Sequence, residues 1–448
     1  MRPDSPTTLM SADANDEFMD AVIARRSRFV EGGGRRIAQE WLDSIGARLY
    51  VALPQPLLFD LDDYAMLGRA ANALLSAQLK IVRHLVQTQT REYLLDLFHV
   101  PDRMAPFIDW EKFQHGAMTI ARMDIVPTRD GYRFCEFNVH SAVGGGESFG
   151  CCRRICEASG LPLDDGARSP DYDLAEFYAR IARERGIDRI VILDSVMHSQ
   201  LGYPRHDDLT ALLQKMNPGC EIANHREDTY PREWLDPEQG KRTLIHRMFT
   251  FDEITDDCAF FERLWNSGAT ITNTFEAELR MSKLWLSLLC EKQYRTLLDD
   301  SECAVIDAFL PHSFALTEHN LSAALEKKDR YVFKFNFSYG GEGVLIGAST
   351  PVRSLEHEIR SRGVRNWICQ EFVEARTIRM PYDDSDDVAD HALVLGLYMT
   401  DGKPNGFFVR GSASSKVVNL TNGAGKMAWG LILDTAARRR FIDLVRNL

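Results

Sequence analysis

The stretch from residue 121 to residue 139, ARMDIVPTRDGYRFCEFNV, alternates large apolar residues with others on both sides of an Arg-Asp-Gly turn, and it constrains the fold more than any other part of the chain. Period-two alternation around a glycine turn is the signature of a β-hairpin. With a three-residue loop of Arg129, Asp130 and Gly131, Gly131 adopts the left-handed conformation such loops favour and Thr128 pairs with Tyr132. Counting outward sets Asp124 opposite Glu136 and Arg122 opposite Asn138, all on one face, with opposed Cβ atoms about 4.5–5.5 Å apart. A two-residue loop would shift the register by one and scatter the set.

Two carboxylates this close repel unless a cation joins them. Oxygen-only ligands of mixed charge, Asp124, Glu136 and the Asn138 carbonyl, suit a hard divalent ion such as Mg²⁺, which is held by a few protein oxygens together with substrate phosphates. Arg122 has the planar fork to neutralise a phosphate or carboxylate at the same place. The competing reading is a surface hairpin whose charges are solvated.

A second constellation weighs against that reading. In YVFKFNFSYGGEGVLIG, Val332, Lys334 and Asn336 share a strand face, and Gly340, Gly341 and Gly343 follow before another apolar strand. A strand lysine beside a glycine loop suits nucleotide phosphates, because the ammonium meets the charge while bare backbone lets N–H groups approach. The spacing is neither a P-loop nor a Rossmann fingerprint. NWICQEFVEA then offers Gln370, Glu371 and Val373 at a strand end, where an adenine ring finds backbone partners between apolar walls. Lys283 lies on a long amphipathic helix, EAELRMSKLWLSLLCEKQ, where a solvated lysine is the commoner case. Arg410 ends the strand GFFVRGS, and Ser412, Ser414 and Asn419 follow in a small-residue loop that reads as an anion clamp or a polar turn.

The rest of the chain bounds these sites. Apolar spacing of three and four makes residues 1–115 largely helical; 116–186 carry the ribbon and further helices; 187–275 alternate strands and helices; 276–448 carry the candidate nucleotide site. The run EGGGRR at 31–36 lacks a preceding strand and a following G-K-[ST], so it is not a phosphate loop. The acidic run DDSDDVAD, 383–390, reads as a solvated hairpin loop. A net charge of −12 argues against a nucleic-acid footprint. The absence of a leader-like or spanning apolar run points to a cytoplasmic protein, in which nine scattered cysteines stay reduced.

R-x-D, then E-x-N with Asp124 and Glu136 twelve apart, then a distant lysine with a glycine loop, resembles the circularly permuted ATP-grasp ligases, glutathionylspermidine synthase and eukaryotic-type glutathione synthetase. Most ATP-grasp enzymes have their metal ligands after the nucleotide lysines; here they precede Lys334 by about two hundred residues, as in the permuted group. The resemblance implies an α+β or α/β fold of that type, with a helical N-terminal region and a small α/β domain before the ATP-grasp core. It makes Asp124, Glu136 and Asn138 the Mg²⁺ ligands and puts Arg122, with Ser141 and Ser412, on the acyl substrate. It puts Lys283, Lys334 and the Gly340, Gly341 and Gly343 flap on the ATP phosphates, Gln370, Glu371 and Val373 on adenine, and Arg410 at the catalytic centre. The implied activity is ATP-dependent joining of a small-molecule carboxylate to an amine through an acylphosphate, in a homodimer without nucleic-acid or membrane partners; a kinase on the same scaffold is the alternative. The flap sequence NFSY lacks the glutamate ligand of glutathione synthetase, and no amidase domain is present.

Overall fold

The Arg-Asp-Gly turn closes in two residues, not three. β2 (Ile120–Thr128) and β3 (Gly131–Asn138) pair antiparallel with Thr128 opposite Gly131, so Arg129 and Asp130 form the loop and Gly131, at φ 130°, opens the second strand. Alone, this would misalign the charged face. A β-bulge restores it: Ile125 pairs with Phe134 but Asp124 pairs with Glu136, so Cys135 has no opposite number and the strand gains one residue. Asp124 therefore faces Glu136 and Arg122 faces Asn138, the expected pairs reached by an unexpected route.

The computed structural model describes residues 12–25, 33–47, 50–116, 120–161, 163, 169–200, 205–254, 258–336, 338, 341–381, 388–415, 418 and 425–448. The ribbon lies at one edge of a seven-stranded sheet, ordered β1 (Leu57–Asp60), β15 (Lys426–Leu433), β14 (Lys403–Ser412), β13 (Val388–Thr400), β2, β3, with β12 (Thr377–Pro381) also on β13. β1 runs parallel to β15, so the N-terminal region is not purely helical. KMAWGLIL of β15 escapes a period-two reading because its Met427–Leu431 segment is buried without alternation.

A second sheet, β5 (Glu221–Arg226), β4 (Arg189–Asp194), β6 (Thr243–Arg247), β7 (Thr270–Thr272), is wholly parallel. Crossover helices such as Asp207–Met216 serve it, as the β/α alternation expects. The third sheet, β10 (Val344–Ile346), β9 (Tyr331–Phe335), β11 (Trp367–Glu371), β8 (Ser313–Ala315), is antiparallel and carries the glycine-loop hairpin between β9 and β10.

The expected long helix after residue 275 breaks. Glu276–Met281 and Leu284–Cys290 are separate helices, joined where Ser282 turns extended at ψ 132°. The amphipathic reading fails because every residue from Leu284 to Leu289 is buried; Trp285 stacks on Phe98 with ring centroids 5.4 Å apart. At the break, the Lys283 N–H donates to the Asn336 carbonyl at 3.1 Å, tying the gap to the strand of Lys334. Of the acidic run, 383–387 lie outside the described residues and Val388–Asp390 belong to β13. Residues 31 and 32 of the early glycine run also lie outside, while Gly33, at φ 78°, precedes the helix Gly34–Ser44. No helix among the described residues is long and apolar enough to cross a membrane.

Candidate active site

The face of the large sheet that carries Arg122 and Asp124 also carries Arg410, from two strands away. β13 lies between them, and its Gly396 stands opposite both Asp124 and Phe408. The glycine is required: a Cβ there would lie 2.6 Å from Cδ of Arg122, whose side chain crosses the strand. Both guanidinium groups then flank the Phe408 ring, each 5.4 Å from its centroid.

Asp124 bridges the two arginines. Its Oδ1 accepts from Nε of Arg122 at 3.1 Å, and its Oδ2 lies 2.6 Å from Nη2 of Arg410. Burial alone would raise the Asp124 pKa, but Arg410 and then Arg122 outweigh it and hold the carboxyl below its ordinary range. Arg410 retains a buried Nε with no hydrogen-bond partner among the described residues. Arg122 also donates from Nη1 to the Gly144 carbonyl at 2.8 Å.

Glu136 engages the helix break. Its Oε1 lies 2.8 Å from the Lys283 ammonium, which also donates to the Ser338 carbonyl. Lys334 crosses from the third sheet and donates to the Cys135 carbonyl at 2.8 Å, across 199 residues of sequence. The bulge is what exposes that carbonyl to it, since Cys135 is skipped by the β2 register. Burial pushes the Lys334 pKa down and the neighbouring Lys283 adds to this, with Cys135 and Glu136 opposing. Asn138 donates its Nδ2 to the Arg122 carbonyl at 3.1 Å.

Seven of the expected site residues thus form one connected cluster: Arg122, Asp124, Glu136, Asn138, Lys283, Lys334 and Arg410. The oxygens left to a hard cation are Oε2 of Glu136 and Oδ1 of Asn138, a carboxylate and a carbonyl two residues apart on β3, a donor set that fits Mg²⁺. Asp124 is different, because both its oxygens are held by guanidinium groups. No group of three or more His, Cys, Asp or Glu suited to a metal occurs among the described residues.

The other expected residues are bonded to other groups. Ser141 donates its hydroxyl to the Arg247 carbonyl at 2.6 Å, and the Ser412 oxygen accepts from the backbone of Ser414 and Ser415. Gln370 is buried and donates to the Ser313 hydroxyl at 3.1 Å. Glu371 closes the β11 ladder and Phe372 N–H donates to the Arg330 carbonyl, so Val373 is the first residue past these bonds. Gly340 lies outside the described residues; Gly341 and Gly343 have φ of 77° and 63°. Sequence reasoning missed Cys135, whose role follows only from the bulge. It also missed a buried trio in which Glu278 accepts from Arg247 Nη1 at 2.6 Å and contacts His140 Nε2 at 3.3 Å, drawn from three separate segments.

No protein-family model matches this chain, and no curated protein matches it. Among solved structures it is similar to a glutathione synthetase-like effector from Globodera pallida, at 13% identity and TM-score 0.59, over 89% of this chain and 96% of that one. A Methylobacillus flagellatus KT protein, provisionally described as a gamma-glutamylcysteine synthetase, aligns more loosely at 12% identity and TM-score 0.43, over 83% of this chain and 94% of that one. The chain therefore has a glutathione synthetase-like fold.

Proposed function

We propose that the protein is an ATP-dependent ligase that joins a carboxylate to an amine. One observation carries the reading: two lysines from different segments, Lys283 and Lys334, meet the carboxylate and the bulge carbonyl on one strand of a ribbon whose other strand holds two arginines. That distribution suits a polyphosphate, with its tail over the lysines and its transferred group toward Arg122 and Arg410.

The chemistry has two steps. A substrate carboxylate attacks the γ-phosphorus of ATP to give an acylphosphate and ADP; the amine then attacks the acyl carbon and phosphate leaves. Carboxylates do not condense with amines unaided, so charge neutralisation and positioning carry the rate. Mg²⁺, when bound, would neutralise phosphate charge. Glu136 and Asn138 would hold it, and Asp124 could join only by releasing a guanidinium. Asp124 acts instead to hold Arg122 and Arg410 together beside Phe408, toward the transferred group. Lys283 and Lys334 draw on the phosphates, and a lowered Lys334 pKa marks an ammonium in need of an anionic partner. Gly341 and Gly343 give the β9–β10 hairpin the bare backbone of a phosphate flap, and Val373 offers the hinge for adenine.

We further propose that residues 276–448 form the nucleotide-binding part, with 187–275 as the preceding α/β domain, 116–186 contributing the ribbon and 1–115 the N-terminal region. The test is release of ADP and phosphate from ATP and Mg²⁺ in a matrix of carboxylates and amines. Amine-dependent release with an amide product supports the ligase. A stable phosphorylated product formed without amine would assign a kinase instead.

A further inference from the structure

Beside the arginine cluster, on the same face of the large sheet, lies a cleft of about 70 Å³. Its floor includes Ile120 and Thr400, which oppose each other on β2 and β13 two pairs beyond Arg122 and Tyr398, roughly 7 Å along the strands. The two sites share a wall. The Gly144 carbonyl accepts from Arg122 on one side and from the Tyr398 hydroxyl at 2.9 Å, and both Gly144 and Tyr398 line the cleft.

The lining is acidic. Glu147, Asp171, Asp207 and Asp208 face Arg205, His206 and His246. Arg205 is committed to Asp207 at 3.0 Å, and burial pushes His246 down to about 3, which keeps its ring neutral. Asp171 stands in the first turn of the helix Pro170–Arg185, where an acidic residue is ordinary. It does no capping, however: Ser169 caps that helix by accepting from Tyr172 N–H, and Asp171 accepts no hydrogen bond or ion pair among the described residues. Gly146 lets the carboxylate press close, since a Cβ there would lie 3.1 Å from its Oδ1. Desolvation, then Glu147 and Asp208, push the Asp171 pKa up to about 7.

An acidic patch alone would mean little. An independent feature points the same way: Asn405, 6% exposed and lining the same cleft, donates its Nδ2 to the Pro170 carbonyl and the Thr400 hydroxyl, while its Oδ1 is buried with no hydrogen-bond partner among the described residues. A buried amide oxygen without a donor is destabilising, and a desolvated carboxylate without a cation is more so. One ligand group answers both.

We propose that this cleft holds the amine substrate of the ligase by its ammonium group, with Asp171 and the Asn405 carbonyl as acceptors and Asp208 at the rim. The assignment rests on the ligase reading for the word substrate, while the binding site itself does not. The apolar walls, Ile45, Leu174, Leu209 and Met248, take an alkyl chain. Among the described lining residues four carboxylates, Glu147, Asp171, Asp207 and Asp208, outnumber the one arginine, Arg205, which pairs with Asp207, so the wall disfavours an α-carboxylate; the ligand class is an alkylamine and not an amino acid.

The test is calorimetric titration of the full chain, without ATP, with n-butylamine and in parallel with glycine, at pH 8. Wild type is expected to bind n-butylamine at least tenfold more tightly than glycine, and Asp171→Asn to lose at least tenfold of that affinity. Asp208→Asn, at the exposed rim, is expected to lose two- to fivefold, and it carries the test if Asp171→Asn does not fold. Absence of n-butylamine binding, equal affinity for glycine, or undiminished affinity in the variants overturns the proposal. ATP binding to wild type, titrated separately, reports on the ligase reading: amine binding without ATP binding would keep the cleft and discard the ligase.

Discussion

Two acidic sites share one face of the large sheet, and they are balanced in opposite ways. At the ribbon, each carboxylate has a cation: buried Asp124 has Arg122 and Arg410, and half-buried Glu136 has Lys283. In the neighbouring cleft, among the described residues, Asp171 has none, and the buried Asn405 oxygen of the same cleft also lacks a donor. The pKa directions follow, with Asp124 held down and Asp171 pushed up to about 7. A matched cluster is rigid and preorganised for a charge that develops elsewhere, whereas an unmatched one is completed by its ligand.

The sharpest way to break the contrast is to unmatch the ribbon. Asp124→Ala leaves two buried guanidinium groups facing each other and is expected to cost about 3–5 kcal/mol of stability, read as a lower urea midpoint. A loss under about 1 kcal/mol would mean that the arginines do not depend on it. Next in size is Lys334→Met, which removes the ammonium on the bulge carbonyl. ADP formation should fall about 10²–10³-fold with folding retained, and activity within threefold of wild type would remove Lys334 from the phosphate site.

Glu136→Gln keeps the shape and removes the charge shared with Lys283. Activity is expected to fall about tenfold or more and to require a higher Mg²⁺ concentration for half-maximal rate; an unchanged Mg²⁺ dependence would separate Glu136 from the metal.

The contrast can also be tested from the other side, by matching the cleft by substitution. Asp171 has a folded pKa above its ordinary 3.8, so the folded chain holds its proton more tightly than the unfolded chain. Its contribution therefore lowers stability as pH rises from about 4 to about 7, and the penalty is complete above that. At about 1.4 kcal/mol per pKa unit, Asp171→Asn should stabilise the protein by up to a few kcal/mol at pH 8 and by almost nothing at pH 3.5. Asp124 has the opposite sign, contributing stability above its ordinary pKa that is lost on acidification through its lower folded value. Glu276, pushed up to about 7 by burial, shares the sign of Asp171, so the comparison is between variant and wild type at each pH. A variant no more stable than wild type at pH 8 would mean that Asp171 is already matched.

Much of the ribbon was legible in sequence because strand alternation is local: parity alone puts Arg122 and Asp124 on one side of β2. The register was not. It depends on two departures, a short turn and a bulge, that cancel, and a bulge is selected by contacts beyond the hairpin. Lys283 entered only through the family resemblance, and its setting was misread. A chain of apolar residues buried all round reads as an amphipathic helix until the break at Ser282 is seen.

By itself the amino-acid sequence determined which segments alternate, which glycines loosen the β9–β10 loop, and the order along the chain of an acidic ribbon followed by a lysine strand. Only the tertiary structure decided that Arg410 shares Asp124 with Arg122, that Lys334 reaches the Cys135 carbonyl, and that Asp171, Asp208 and Asn405 line one cleft. The reason is physical. Periodicity and turn chemistry act over a few residues, but a charge is matched or left unmatched by whatever folding brings within a few ångströms of it, however distant in the chain.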